Sequence, residues 1–188
     1  MELKNTKTEE NLRAALAGES IARNKYSYFA QAARENGEAE IAAAFEEMAI
    51  NEMTHARLWY ELLYGKPDSV KNCLQTSAYG EYSEWRSMYP KFAEQAREEG
   101  LEEVAVLFEH VANIERSHEN RFMTMLAGLY KSDPLKVTSG DPEQTTPVHR
   151  EKRHGYRCQF CGAVFETRPD LCDTCGAIGA FEEVEYYA

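Results

Sequence analysis

Two short segments of this chain carry the same pair of metal-binding residue types. Glu52-Met-Thr-His55 and Glu115-Arg-Ser-His118 are both Glu-x-x-His, the second a displaced copy of the first. Residues three apart on a helix share a face, so each segment aims a carboxylate and an imidazole at one point. Two such helices, joined by one Glu from each of two others, can hold a pair of metal ions. Glu19 and Glu81 are the candidates for those two places. Glu19 and Glu52 flank Gly37, eighteen positions before it and fifteen after it, while Glu81 and Glu115 flank Gly100, nineteen before and fifteen after. In antiparallel hairpins these positions fall at matching heights within about one turn. The expected roles are bridging for Glu52 and Glu115, terminal for Glu19 and Glu81, and one ion each for His55 and His118. Carboxylate and imidazole ligands around open positions favour iron or manganese over zinc.

Glu84 breaks the symmetry. It lies one turn after Glu81 and offers a seventh ligand to one half only, and its counterpart in the first hairpin is Ile21 or Ala22. A spare carboxylate suits an ion that changes coordination with oxidation state, and a carboxylate can also relay protons. Glu84 is the first candidate for that relay and Glu52 the second. The two halves also differ in length: Tyr26 is seven positions after Glu19, Tyr89 is eight after Glu81, and Pro90 follows. The spacing predicts a π-bulge between residues 81 and 89, which accommodates an insertion and a proline inside a helix. Such a bulge returns Tyr89 to the metal-facing side, opposite Tyr26, where both phenols can hydrogen-bond metal-bound carboxylates.

A second metal site is written in the tail. Cys158-x-x-Cys161-Gly and Cys172-x-x-Cys175-Gly are separated by ten positions. Four thiolates in a tetrahedron hold zinc or a single iron, and spacing alone leaves both open. A neighbouring redox site favours iron, because only iron can relay an electron. Cys73 stands apart and reads as a buried or incidental thiol.

The elements that must position these residues follow from the same pattern. Helices are expected from about Thr6 to just before Gly37, from Glu38 to Tyr64, Tyr79 to Glu99 and Leu101 to Tyr130, with a connection over 65–78 that can be partly helical. Phe29-Ala-Gln-Ala-Ala-Arg-Glu-Asn-Gly37 returns as Phe92-Ala-Glu-Gln-Ala-Arg-Glu-Glu-Gly100, at the same offset that relates the two Glu-x-x-His segments. The fold class is thus an all-α four-helix ferritin-like bundle with one long crossover, plus a small C-terminal rubredoxin-like four-cysteine metal domain. The expected boundaries are 1–131 for the bundle, 132–152 for a proline-bearing linker and 153–188 for the tail, which is too short to fold without a metal. The net charge of −11 excludes the basic footprint of a nucleic-acid or anionic-membrane binder. With no long apolar run and no leader pattern at the start, a cytoplasmic location is expected.

Taken together, Glu19, Glu52-x-x-His55, Gly80-Glu81-x-x-Glu84, Met88-Tyr89-Pro90, Glu115-x-x-His118 and the cysteine quartet resemble the rubrerythrin family over essentially the whole chain. The resemblance implies a non-haem di-iron peroxidase that reduces hydrogen peroxide to water in oxidative-stress protection. It implies two irons at the carboxylate site and one in the four-cysteine site. Electrons from NAD(P)H would come through a reductase or a separate rubredoxin. It also implies that one iron exchanges His55 for Glu84 on oxidation, and that the chain forms a homodimer in which one subunit's tail nears the other's di-iron site. Asp173, where such knuckles often carry Pro, and the short loop between the knuckles depart from free-standing rubredoxins. A ferroxidase or iron-storage role is the alternative reading.

Overall fold

A computed structural model describes residues 3–132 and 152–187. The expected linker therefore lies outside the described residues except at its two ends. The chain divides into two compact units, Met1–Pro67 and Asp68–Ala188.

The first unit is a hairpin of α1 (Lys7–Glu35) and α2 (Ala39–Tyr64). Thr6 caps α1: its hydroxyl accepts from the Glu9 N–H at 3.1 Å, and the Glu9 carboxylate reaches back to the Asn5 N–H at 2.8 Å. This is the reciprocal arrangement that Ser/Thr-x-x-Glu encodes, displaced by one residue. At the other end Gly37 adopts φ +80°, and the Glu38 N–H returns to the Ala33 carbonyl at 2.9 Å. The left-handed residue turns the chain back on itself within one step. Ala30, Ala33, Ala42 and Ala49 are the buried residues of this hairpin. Their small side chains let the two helix axes approach closely.

The second unit repeats the hairpin. Its first rod is α3 (Val70–Ser83), a π-helical turn (Glu84–Met88) and α4 (Tyr89–Glu98), and its second is α5 (Glu102–Ser132). Gly100 adopts φ +77°, and the Leu101 N–H returns to the Ala96 carbonyl at 2.8 Å. Ala93, Ala96 and Ala105 are buried, and in the repeat they are the counterparts of Ala30, Ala33 and Ala42. Phe29 and Phe45 pack edge-on with centroids 5.4 Å apart, and Phe92 and Phe108 pack with centroids 5.6 Å apart. The Tyr26 ring lies 6.1 Å from Phe45 and the Tyr89 ring 6.0 Å from Phe108. Arg34 pairs with Glu46, and Arg97 grips Glu109 with two bonds at 2.8 and 2.9 Å.

One boundary lies earlier than expected: the stretch over 65–78, read as a connection that can be partly helical, is helix from Val70 onward and continues into the rod that carries Glu81. The Ser69 hydroxyl caps it, accepting from the Asn72 N–H at 3.1 Å. Asn72, Cys73 and Thr76 are indifferent helix formers, so their composition reads as a loop, and the cap decides otherwise. The π-turn, by contrast, lies where the length mismatch placed it. The Tyr89 N–H donates to the Glu84 carbonyl five residues back, and the extra residue is absorbed there.

The tail is a small antiparallel sheet of β1 (Lys152–Cys158), β2 (Val164–Phe165) and β3 (Phe181–Tyr187), in the order β2-β1-β3. Gly155 sits on β1 opposite Val184. A Cβ there would lie 2.6 Å from the Phe165 carbonyl oxygen and 2.8 Å from the Tyr186 ring, so only glycine fits. The core of the tail joins Cys158, Ala163, Cys172 and Phe181 to Ile114 of α5. Among the described residues no helix is long and apolar enough to cross a membrane.

Candidate metal centres

In the first hairpin, α1 supplies Glu19 and α2 supplies Glu52 and His55, and one ligand atom from each lies within 4.8 Å of the others. His55 Nδ1 is 3.0 Å from Glu52 Oε2 and 4.0 Å from Glu19 Oε1. In the second, α3 supplies Glu81 and α5 supplies Glu115 and His118, under the same 4.8 Å limit. His118 Nδ1 is 2.7 Å from Glu115 Oε2 and 3.9 Å from Glu81 Oε1. The internal repeat thus reproduces the triad geometry closely in both hairpins.

The electrostatics of the triads are those of carboxylates crowded together. The Glu19 carboxyl is held above its ordinary range by its hydrogen bond to Glu52 and by burial. Glu52 is held below it by hydrogen bonds from His55 and Glu19. Glu81 is pushed up to about 7, first by burial and then by its hydrogen bond to Glu115 and the charges of Glu115 and Glu84. Glu84 stands outside the tight triad, yet burial and the Glu115 charge raise it too. Tyr89 is raised by burial and by the carboxylates of Glu84, Glu115 and Glu81. So the π-turn does bring Tyr89 within the field of this cluster. Tyr26 packs on Phe45 under the Lys25 ammonium, 5.5 Å from its ring centre. Carboxylate oxygens beside an imidazole nitrogen are a donor set that iron takes, and a bound divalent ion would favour the ionised form of Glu81.

The cysteines also converge. All four sulfurs lie within 4.8 Å of one another, with Cys158 to Cys175 and Cys161 to Cys172 both at 3.6 Å. Metal–sulfur bonds of about 2.3 Å in a tetrahedron set sulfur–sulfur edges of about 3.8 Å, so the cluster fits one ion closely. Burial works to raise the Cys158 thiol, but the amides of Cys161 and Phe160 outweigh it and bring it down to about 7. Burial raises Cys161 and Cys175. Cys73 is exposed on α3 and belongs to none of these clusters, so the expectation of a buried thiol fails while that of an incidental one stands.

The family model for rubrerythrin matches residues 10–126 and 72–152. This chain belongs to the rubrerythrin family. It is 35% identical to the rubrerythrin of Nitratidesulfovibrio vulgaris over 188 residues, covering 92% of this chain and 91% of that one. It is 33% identical to the rubrerythrin of Porphyromonas gingivalis, covering 96% and 91% respectively. Nigerythrin of Nitratidesulfovibrio vulgaris is 40% identical over 129 residues, 62% of this chain and 64% of its own. The solved structure of fully reduced nigerythrin (all ferrous) is 29% identical, covers 97% of this chain and 91% of its own, and gives a TM-score of 0.40. As a member of the rubrerythrin family, the chain is an oxidoreductase with carboxylate and histidine groups for two irons and a four-cysteine cluster for a rubredoxin-like iron.

Two contacts in this member of the family were beyond sequence reasoning. The Trp85 indole N–H donates to Glu119 at 2.8 Å, with the Arg116 guanidinium 5.4 Å from the Trp85 ring centre. This bond ties the residue after Glu84 to the residue after His118. Gly162, just past the first cysteine knuckle, faces His118: a Cβ there would lie 2.9 Å from His118 Nε2. In neither contact are the partners near each other in sequence, and no spacing along the chain links one to the other.

Proposed function

We propose that this chain is a non-haem di-iron peroxidase that reduces hydrogen peroxide to water, in the cytoplasm and in defence against oxidative stress. Its electrons are proposed to come from NAD(P)H, through a reductase or a separate rubredoxin, and to enter at the four-cysteine iron. The observation that carries this reading is the unevenness of the two hairpins. Only the second adds a half-buried Glu84 and one extra residue, which the π-turn absorbs before Tyr89 and Pro90. A site meant only to hold iron needs none of these.

The proposed ligands of the iron pair are Glu19, Glu52 and His55 from one hairpin and Glu81, Glu84, Glu115 and His118 from the other. When bound, a ferrous pair supplies both electrons for O–O cleavage and stabilises the developing oxide charge. The protein's own residues supply the protons and the order. Reduction of peroxide to two waters consumes two protons. Glu84, whose carboxyl is raised by burial and by the Glu115 charge, is the first candidate to deliver one of them. Glu52 is the second candidate for that relay. The phenols of Tyr89 and Tyr26 are proposed to donate hydrogen bonds to ligating carboxylates. Trp85, bonded to Glu119, holds the π-turn against α5 and so fixes where Glu84 points.

The test is metal analysis with visible spectra before and after peroxide, followed by NADH consumption with a reductase present. Three irons per chain, a ferric–thiolate band that bleaches on reduction and returns with peroxide, and sustained NADH oxidation are expected. Zinc in the tail would remove the electron-entry step. A 24-subunit shell on gel filtration with no peroxide turnover would favour iron storage instead.

A further inference from the structure

The chain has two tryptophans, and the internal repeat accounts for neither. Trp59 lies in the first hairpin, seven positions after Glu52 and four after His55, and the residue in its place in the second hairpin is Phe122. Trp85 lies in the second hairpin, where the first has Ala22 or Arg23. Each hairpin thus adds one indole N–H that the other lacks. The Trp85 N–H is satisfied by Glu119 at 2.8 Å. The Trp59 N–H is sealed from water and makes no hydrogen bond among the described residues. An indole nitrogen can only donate. A buried donor without an acceptor is destabilising, and such groups are rare in folded proteins.

The neighbouring side chains supply a reason for this one. Steps of three and four place Glu52, His55 and Trp59 on one face of α2. A long helical side chain leans over the turn before its own, so the Trp59 ring leans toward His55, whose Nδ1 is 4.0 Å from Glu19 Oε1. Glu19 registers the indole. Its carboxyl is raised, first by its hydrogen bond to Glu52 and then by burial, and the Trp59 N–H is among the groups that work against that rise. The N–H is therefore close to Glu19 without completing a bond to it. Glu19 is engaged elsewhere, because it holds the proton that ties it to the Glu52 carboxylate. A divalent ion taken up by these two carboxylates displaces that proton to water and frees a Glu19 oxygen to accept.

We propose that Trp59 is a positioning residue of the first triad: when a divalent ion draws Glu19 away from Glu52, the indole N–H takes one Glu19 oxygen and leaves the other aimed at the ion. This role rests on Glu19 being a metal ligand, as proposed above, and not on the peroxide chemistry. The buried, unpaired N–H is then a partner held in reserve for the ionised carboxylate. From the position of Phe122 no such bond can reach Glu81, since a phenyl ring has no donor. The two terminal carboxylates are thus held differently: Glu19 has a fixed second partner, and Glu81 has none at the equivalent place.

Ferrous iron is the probe, added without oxygen to full-length protein whose four-cysteine iron is in place and whose carboxylate site has been cleared with a chelator. Ultraviolet resonance Raman of the indole band that reports N–H hydrogen bonding should show one tryptophan gaining a bond as iron binds. Trp59→Phe should abolish that change. The same variant should weaken one of the two iron-binding steps by about tenfold, the loss expected when the group behind a ligand is removed, and leave the other step unaltered. Replacing Trp59 with its benzothienyl analogue keeps the ring and removes only the N–H. It should weaken binding as Trp59→Phe does, with an unchanged melting temperature. Parent-like affinity in the benzothienyl variant would overturn the proposal, because the phenylalanine effect would then be one of packing. An indole band that ignores iron would overturn it too. Glu19→Ala separates this role from the ligand assignment beneath it. If that variant binds both irons as tightly as the parent, Glu19 is no ligand and both fall. If it loses one iron while the Trp59 variants keep both at parent affinity, Glu19 stands as a ligand and only the role of Trp59 falls.

Discussion

Glu84 and Glu81 are one turn apart and face the same cluster, yet they should fail differently. Replacing Glu84 with Ala leaves the triad of Glu81, Glu115 and His118 intact, so metal content should hold. Turnover of peroxide should fall by about a hundredfold or more, the usual cost of a lost proton donor. Peroxidase assays at matched iron content check this, and unchanged turnover would remove Glu84 from the mechanism. Glu81 should show itself through pH. In the folded, metal-free protein it holds its proton up to about 7, against an ordinary 4.5. Between those values the folded state binds more protons than the unfolded one, so this group's contribution to stability falls as pH rises through that window. Glu81→Gln should therefore melt higher than the parent chain at pH 7 without metal, and the difference should vanish below about pH 4.5. Iron uptake by the parent chain should release a proton at pH 6, and less at pH 8.

The elements carry two further predictions. The π-turn exists because the second hairpin has eight steps where the first has seven between its first Glu and its tyrosine. Deleting Arg86 should convert it to plain α-helix. Seven steps would then separate Glu81 from Tyr89, as seven separate Glu19 from Tyr26 in plain helix, so both should keep facing the cluster. Metal content of the second triad and helical circular dichroism should therefore both hold, and a loss of metal would show that the π-turn itself is needed to position Glu81. In the tail, Gly155→Ala forces a methyl against the Phe165 carbonyl oxygen and the Tyr186 ring. Overpacking of this kind costs about 1–3 kcal/mol. The four-cysteine metal should be lost to a chelator faster than from the parent chain, with the helical hairpins unaffected.

For the whole molecule, metal identity in the tail separates structure from function. Four sulfurs at this spacing accept zinc as readily as iron, and the sheet should fold around either. A zinc-loaded tail should therefore give the same thermal midpoint for the tail but no NADH-driven peroxide turnover, while added dithionite still drives the carboxylate site. Cys158→Ser should lose the tail metal altogether.

Much of this was legible in the chain itself because periodic chemistry leaves periodic marks. The doubled Glu-x-x-His, the doubled Cys-x-x-Cys-Gly, and one surplus residue before Pro90 fixed the ligand triads, the four-sulfur cluster and the π-turn. Each depends on local geometry, either the three-residue step of a helix or the tight turn after a cysteine, so sequence spacing is enough. The start of α3 was less legible, because a single Ser69 cap outweighs residues that otherwise read as loop. Only the tertiary structure decided which atoms meet across distant segments: Trp85 with Glu119, Gly162 with His118, and Ile114 within the core of the tail. Those contacts depend on how one surface packs against another, which no spacing along the chain encodes. Packing alone shows that two sequence-equivalent glycines live in different surroundings, Gly162 against His118 and Ile114 and Gly176 with nothing within 4 Å of a Cβ.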